Sequence, residues 1–173
     1  INTEENKVNN PASLAIKLCN RHDGIGADSM ILVSESRKAD AAMHFYNKDG
    51  AEAKIAGNAI RAVAKYLYEN NVFGVADKHC RSDEPTAILD IETEAGVKKL
   101  TCYKMNGKIN SVTVDMGKPK FKAKNIPTVL SENADEKVLN KKIVVDGKDY
   151  VVSCVNVGNP HCVTFVDFVD KID

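Results

Sequence analysis

The stretch NKDGAEAKIAGNAIRAVAKYLYENN, residues 47 to 71, holds the side chains best placed to do chemistry. It reads as a turn, a short strand and a helix entered through Gly57 and Asn58. The first turn of a helix leaves backbone N–H groups without internal acceptors. Together with the macrodipole these make an anion site that suits a carboxylate. Gly57 allows close backbone approach, Asn58 carries both an amide donor and an acceptor, and Asn47 precedes the turn that leads back to the same place. A reactive side chain is expected immediately before the Gly-Asn pair, yet the residue there is Ala56, whose methyl group neither accepts nor delivers a proton. Gly-Asn is also a common helix-cap pair, and on these residues alone a structural role outweighs a functional one.

Composition narrows the classes. A chain of 173 residues is long enough for one ordinary domain or two small ones, and 43% hydrophobic content can supply a core. Lys plus Arg (24) balances Asp plus Glu (24), so no global field draws the chain to nucleic acid or anionic lipid, and neither partner is expected. No apolar run is long enough to span a bilayer and no basic-then-apolar leader follows Ile1, which makes the cytoplasm the default location, although residues upstream of Ile1 can be absent. The five cysteines, Cys19, Cys80, Cys102, Cys154 and Cys162, are an odd set without Cys-x-x-Cys spacing, so reduced, mostly buried thiols are expected. His79-Cys80 and His161-Cys162 could contribute to a distributed metal site, but adjacent residues on a strand point to opposite faces, and no metal is expected.

The elements that must position the helix entrance follow from turn punctuation. Asn47-Lys-Asp-Gly50, Glu94-Ala-Gly96, Asn106-Gly107 and Asp146-Gly147 separate runs such as KLTCYKM, INSVTVDM, KIVV and DYVVSCVNV, which predicts antiparallel hairpins. PASLAIKLCNRHDG suits a short helix ending near Arg21, and GADSMILVSES a buried strand. The strongest helix is predicted from about Asn58 to Asn70, with Ile60, Val63, Ala64, Leu67 and Tyr68 on one stripe and alanines around it, a pattern that wants to be surrounded. One enclosed helix among many antiparallel strands predicts an α+β class, with a sheet curled around a central helix. The boundary is expected in DMGKPKFKAKNIP, residues 115 to 127, giving a first half of 1–116 and a partial second half of 117–173 that contains strands only.

CNRHDGIGADSMILV, FYNKDGAEAKIAGNAIRAVAKYLYE and VNVGNPHCVTFV, in that order and spacing, resemble the successive signatures of diaminopimelate epimerase, a pyridoxal-phosphate-independent amino-acid epimerase. The match covers nearly the whole chain. The resemblance implies two similar halves, each a barrel-like antiparallel sheet around a central helix, no cofactor, and a two-base mechanism. In it, one cysteine as thiolate takes the α-proton from one face of the substrate and a second cysteine returns a proton to the other. The carbanion-like transition state needs donors already aimed at the substrate carboxylate.

By the same resemblance Asn47, Gly57 and Asn58 match substrate-contacting positions of the first half, and Asn159 one of the second. His161 matches the histidine that assists the second cysteine, Cys162 reads as core, and Arg61 as a structural or salt-bridging residue. The sequence departs from the pattern in three ways. Ala56 stands at the family's first catalytic cysteine, and Ala62 where a further cysteine is often found. The Glu-Arg-Gly…Ala-Cys-Gly-Thr-Gly block with the second catalytic cysteine is not among the 173 residues, nor is the opening Gly-Asn-Asp block. Three readings stay open: a piece of a diaminopimelate epimerase, inactive as written; a racemase of another amino acid; and a non-catalytic relative that binds an amino acid or a protein. The partners expected are a small amino-acid substrate and the rest of the same polypeptide or a complementary chain, with a homodimer left open. Residues 119 to 173 are expected to be ordered only when a further segment packs on them.

Overall fold

Asn10 caps the first helix, α1 (Pro11–Cys19): its side chain accepts from the Ser13 N–H at 3.0 Å, and Pro11 occupies the first helical position. The computed structural model describes residues 1–79 and 84–171, so Cys80 lies outside the described residues. α1 stops at Cys19, earlier than the expected end near Arg21, because Asn20 is already extended and the chain doubles back to donate from Ile25 and Gly26 to the Leu18 carbonyl. This return passes so close that a Cβ on Gly24 would sit 2.2 Å from the Lys17 carbonyl oxygen, so only glycine fits there.

β1 (Ser29–Ser34) and β2 (Ala41–Asn47) pair antiparallel, and β3 (Glu52–Ala53) folds back on β2. α2 (Gly57–Glu69) follows, then a 3-10 turn (Val72–Gly74) and α3 (Val75–His79). A meander of β4 (Thr86–Thr93), β5 (Gly96–Met105) and β6 (Lys108–Val114) completes the sheet, in the order β1-β2-β4-β5-β6. The class is the mixed α and β one expected, with one difference. β2 and β4 run parallel, Ala41 beside Ile91 and Ala42 beside Glu92, because the helical crossover between them returns the chain in the same direction. The Asn106-Gly107 turn has both residues at positive φ (54° and 75°), as a two-residue hairpin turn requires.

α2 buries Ile60, Val63, Ala64, Leu67 and Tyr68 against Val33, Met43, Leu89, Ile91, Leu100, Cys102 and Ile109 on one face of this sheet. Period-2 alternation puts Met30 and Leu32 on the opposite face of β1, under α1 with Ala15 and Cys19. α2 is not enclosed as expected, since Arg61, Ala62, Lys65 and Tyr66 are exposed along its outer side. The alanine-rich composition of that side suits close packing but does not require it.

These elements form one compact unit, Ile1–Met116; the second is Gly117–Asp173. Its sheet is β7 (Lys141–Val145), β8 (Lys148–Asn156) and β9 (Pro160–Thr164), all antiparallel. Asp146 and Gly147 supply the positive φ values of the β7–β8 turn. Its small core is Ala123, Ile126, Val138 and Cys154, and no α-helix occurs among its described residues. Among the described residues of the whole chain, no helix is long and apolar enough to cross a membrane.

Candidate functional site

The α2 entrance is built by a buried anchor on each side of it. Ile55, just before the cap, and Ile60, in the first turn, both lie in the core of the first unit. This is the arrangement of a hydrophobic staple, which fixes the angle at which the chain enters a helix. Ala56 is the N-cap, extended at φ −130°, ψ 119°, and offers no side-chain cap. The first intrahelical bond is Ile60 N–H to the Ala56 carbonyl at 3.0 Å, so the N–H groups of Gly57, Asn58 and Ala59 have no acceptor within the helix. No acidic side chain occupies the first turn. A Cβ on Gly57 would meet nothing within 4 Å, so no packing demand of the chain itself accounts for glycine there.

That open space belongs to a shallow cleft of about 310 Å³ lined by Gly57, Asn58, Arg61, β6 residues 112–114 and Met116. Arg61 lies one turn from Asn58 on the same side of α2, and its guanidinium donates to the Asn58 amide oxygen. It also lines the neighbouring cleft of about 360 Å³ with Ala62, Lys65 and Ile109. Among the described residues Arg61 makes no ion pair, so the structural or salt-bridging role expected for it reduces to this one contact. The spacing from Asn58 to Arg61 was the signal that could have placed a cation beside the entrance.

Asn47 ends β2 and closes the turn to Gly50: its carbonyl accepts the Gly50 N–H and its N–H donates to Ala51, both at 2.9 Å. The strand that leads into α2 follows directly. In the second unit Asn159 and His161 are brought together, with His161 Nε2 2.9 Å from Asn159 Oδ1. Asn159 sits in the turn between β8 and β9, and both side chains are exposed. Cys162 is exposed rather than core: it shares a face with the buried Cys154, but it lies on the edge strand β9, where the described residues that cover Cys154 leave it open.

Cys19, the last residue of α1, is buried, and burial pushes the Cys102 thiol up to about 11. Elsewhere on the first unit His44, Glu52 and Glu94 bring one ligand atom each to within 4.8 Å of one another, with His44 Nδ1 3.0 Å from Glu52 and 3.7 Å from Glu94. All three are substantially exposed, and His44 Nδ1 lies within hydrogen-bond distance of Glu52.

A sheet curled over one helix is a fold that this chain shares with solved structures of other proteins. The chain aligns at a TM-score of 0.64 with the crystal structure of a probable proline racemase from Agrobacterium radiobacter K84, at 20% identity over 88% of this chain and 39% of that one. A hydroxyproline epimerase from Agrobacterium vitis, with bound trans-4-hydroxy-L-proline, aligns at 0.62, with 21% identity over 87% and 38%. The sequence signature described as diaminopimelate epimerase matches residues 1–122, and the chain belongs to that family. The diaminopimelate epimerase of Acetivibrio thermocellus is 40% identical over 171 residues, 98% of this chain and 56% of the relative. That of Caldanaerobacter subterraneus subsp. tengcongensis is 43% identical over 160 residues, 92% and 53%. The chain thus spans a little over half the length of these curated relatives.

Proposed function

We propose that the chain is part of a diaminopimelate epimerase, the enzyme that interconverts LL- and meso-diaminopimelate, and that it supplies carboxylate recognition for that reaction. What supports this reading is the α2 entrance: acceptor-free N–H groups at Gly57, Asn58 and Ala59, an open space above Gly57, and Arg61 alongside, in a chain of this family. Such donors cost no reorganisation when negative charge builds on a substrate carboxylate. Asn47 and Asn58 are the substrate-holding residues of the first unit; in the second, Asn159 is a further substrate contact and His161 orients the second acid–base group. The reaction needs one base on each face of the α-carbon, and each general acid–base step is worth roughly 10²- to 10⁴-fold. With Ala56 at the position of the first base, the chain as it stands binds but does not epimerise.

The second unit completes the proposal. Val144, Val151 and Val163 lie exposed on one face of its three-stranded sheet, and Phe165 and Phe168 are exposed beyond it. Further polypeptide of the same protein, or a complementary chain, covers this apolar surface. A cytoplasmic setting is part of the same reading and fits the free thiols of the described cysteines.

Incubation with each diaminopimelate isomer in deuterium oxide tests the assignment together with amide chemical-shift titration. Shifts confined to residues 57–60 and their neighbours, with no α-proton exchange, are expected. Exchange at an enzymatic rate would refute the loss of activity. Shifts only in distant loops would refute the site.

A further inference from the structure

β8 and β9 place two cysteines directly opposite each other, Cys154 beside Cys162. Backbone hydrogen bonds decide what kind of pair this is. The Cys154 N–H goes to the Val138 carbonyl and the Asn156 N–H to the Lys120 carbonyl, both at 2.8 Å, so these residues turn their backbone groups away from β9. Cys154 and Cys162 are therefore a non-hydrogen-bonded pair, the type whose Cα atoms approach to about 4.5 Å and whose side chains come closest. A disulfide needs a Cα separation of about 4.4 to 6.8 Å, so the bridge can form without moving either strand. Cys154 is buried beneath Ile126, whereas Cys162 is exposed at a cleft of about 420 Å³ lined by Pro127, Val129, Pro160 and His161.

We infer that Cys154 and Cys162 are an oxidisable cross-strand dithiol that closes to an intramolecular disulfide by exchange with a small-molecule disulfide. The order of events follows from exposure. The Cys162 thiolate attacks one sulfur of the incoming disulfide, forms a mixed disulfide and releases the first small thiol. Cys154 then gives up its proton and attacks the Cys162 sulfur, the mixed bond breaks, and the second small thiol leaves. The protein loses two hydrogens and two electrons, and the small disulfide takes up both as two thiols. Excess small thiol reverses the exchange through the same mixed disulfide. Partial desolvation and the neighbouring Cys154 hold the Cys162 thiol above its ordinary value, so the pair rests as a dithiol until an oxidant reaches it. The bond staples the hairpin whose turn carries Asn159, and so couples the oxidation state to the stiffness of that turn.

Both cysteines fall in one tryptic fragment, residues 149–171, so mass spectrometry reads the bond directly. The folded chain is incubated with glutathione disulfide, alkylated and digested. The expected fragment is two hydrogens lighter than the reduced one, takes up no alkylating agent, and recovers both thiols after dithiothreitol; two of the five thiols are lost. Cys154→Ser should trap one glutathione on Cys162, and Cys162→Ser should leave Cys154 unmodified. The proposal is overturned if the native chain accumulates glutathione on Cys162 without closing the bond, or if both thiols remain alkylatable after treatment. The native chain alone decides the matter should either variant fail to fold.

Discussion

Replacing Gly57 by alanine separates a structural glycine from a functional one. The new methyl group enters space with no atom within 4 Å, and Gly57 has no left-handed φ that a side chain would strain. Alanine is the better helix former by roughly 1 kcal/mol in a helix interior and by less at its first position. The folded state should therefore hold its stability or gain a few tenths of a kcal/mol. The same methyl group stands where a carboxylate would approach the free N–H groups of α2. Losing one hydrogen bond to a charged group costs about 1.5–3 kcal/mol, which is roughly a 10- to 150-fold weaker Kd. Thermal unfolding and an amide-shift titration with meso-diaminopimelate, run on the same two proteins, measure both quantities. Unchanged affinity would refute the carboxylate site at the α2 entrance, and a large fall in Tm would refute the claim that nothing in the chain requires glycine there.

Ala56→Cys should give a thiol that titrates roughly 0.2 to 0.7 pH unit below the ordinary cysteine value of about 8.5, because a helix N-terminus is worth about 0.3–1 kcal/mol to a thiolate; the pH dependence of its alkylation checks this. Gly24→Ala drives a Cβ to 2.2 Å from a backbone oxygen and should cost about 2–3 kcal/mol, read from denaturant unfolding, whereas Gly107→Ala, with open space but a φ of 75°, should cost only about 1–2 kcal/mol. Lys124 and then Lys122 hold the Asp135 carboxyl down to about 2. Because the folded value is the lowered one, the contribution of these ion pairs is complete above the unfolded value of about 3.9 and disappears as pH falls through about 2, which the carboxyl carbon shift of Asp135 should follow. In hydrogen exchange on the 173-residue chain, amides of residues 143–166 should exchange far faster than those of residues 60–69, since α2 has a large core and β7–β9 a small one; equal protection would show that the second unit needs no further cover.

Periodicity and turn chemistry carried most of the local structure. The stripe from Ile60 to Tyr68 locates α2 to within a residue at each end, and the Asn106-Gly107 and Asp146-Gly147 pairs mark hairpin turns because both residues must adopt positive φ. Strand order was not legible in the same way. Alternation says which face a residue takes but not which strand lies beside it, so the parallel joint between β2 and β4 had no local signal. Cys162 shows the same limit: its face could be read from its neighbours, but whether anything covers that face could not. At the α2 entrance the sequence marked the helix start, while Arg61 was read only as a structural or salt-bridging residue because its place at a cleft depends on β6, distant in the chain.

The parallel joint between Ala41 and Ile91 also sets the order in which the first unit can assemble. The β4–β5–β6 meander closes through short turns. Joining β2 to β4 instead closes a loop of about 50 residues, an entropic cost on the order of 3 kcal/mol before any contact repays it. Local contacts form first where such closures are expensive. The β1–β2 pair is then the last element to lock, and substitutions at Ala41 or Met43 would speed unfolding while leaving the folding rate almost unchanged.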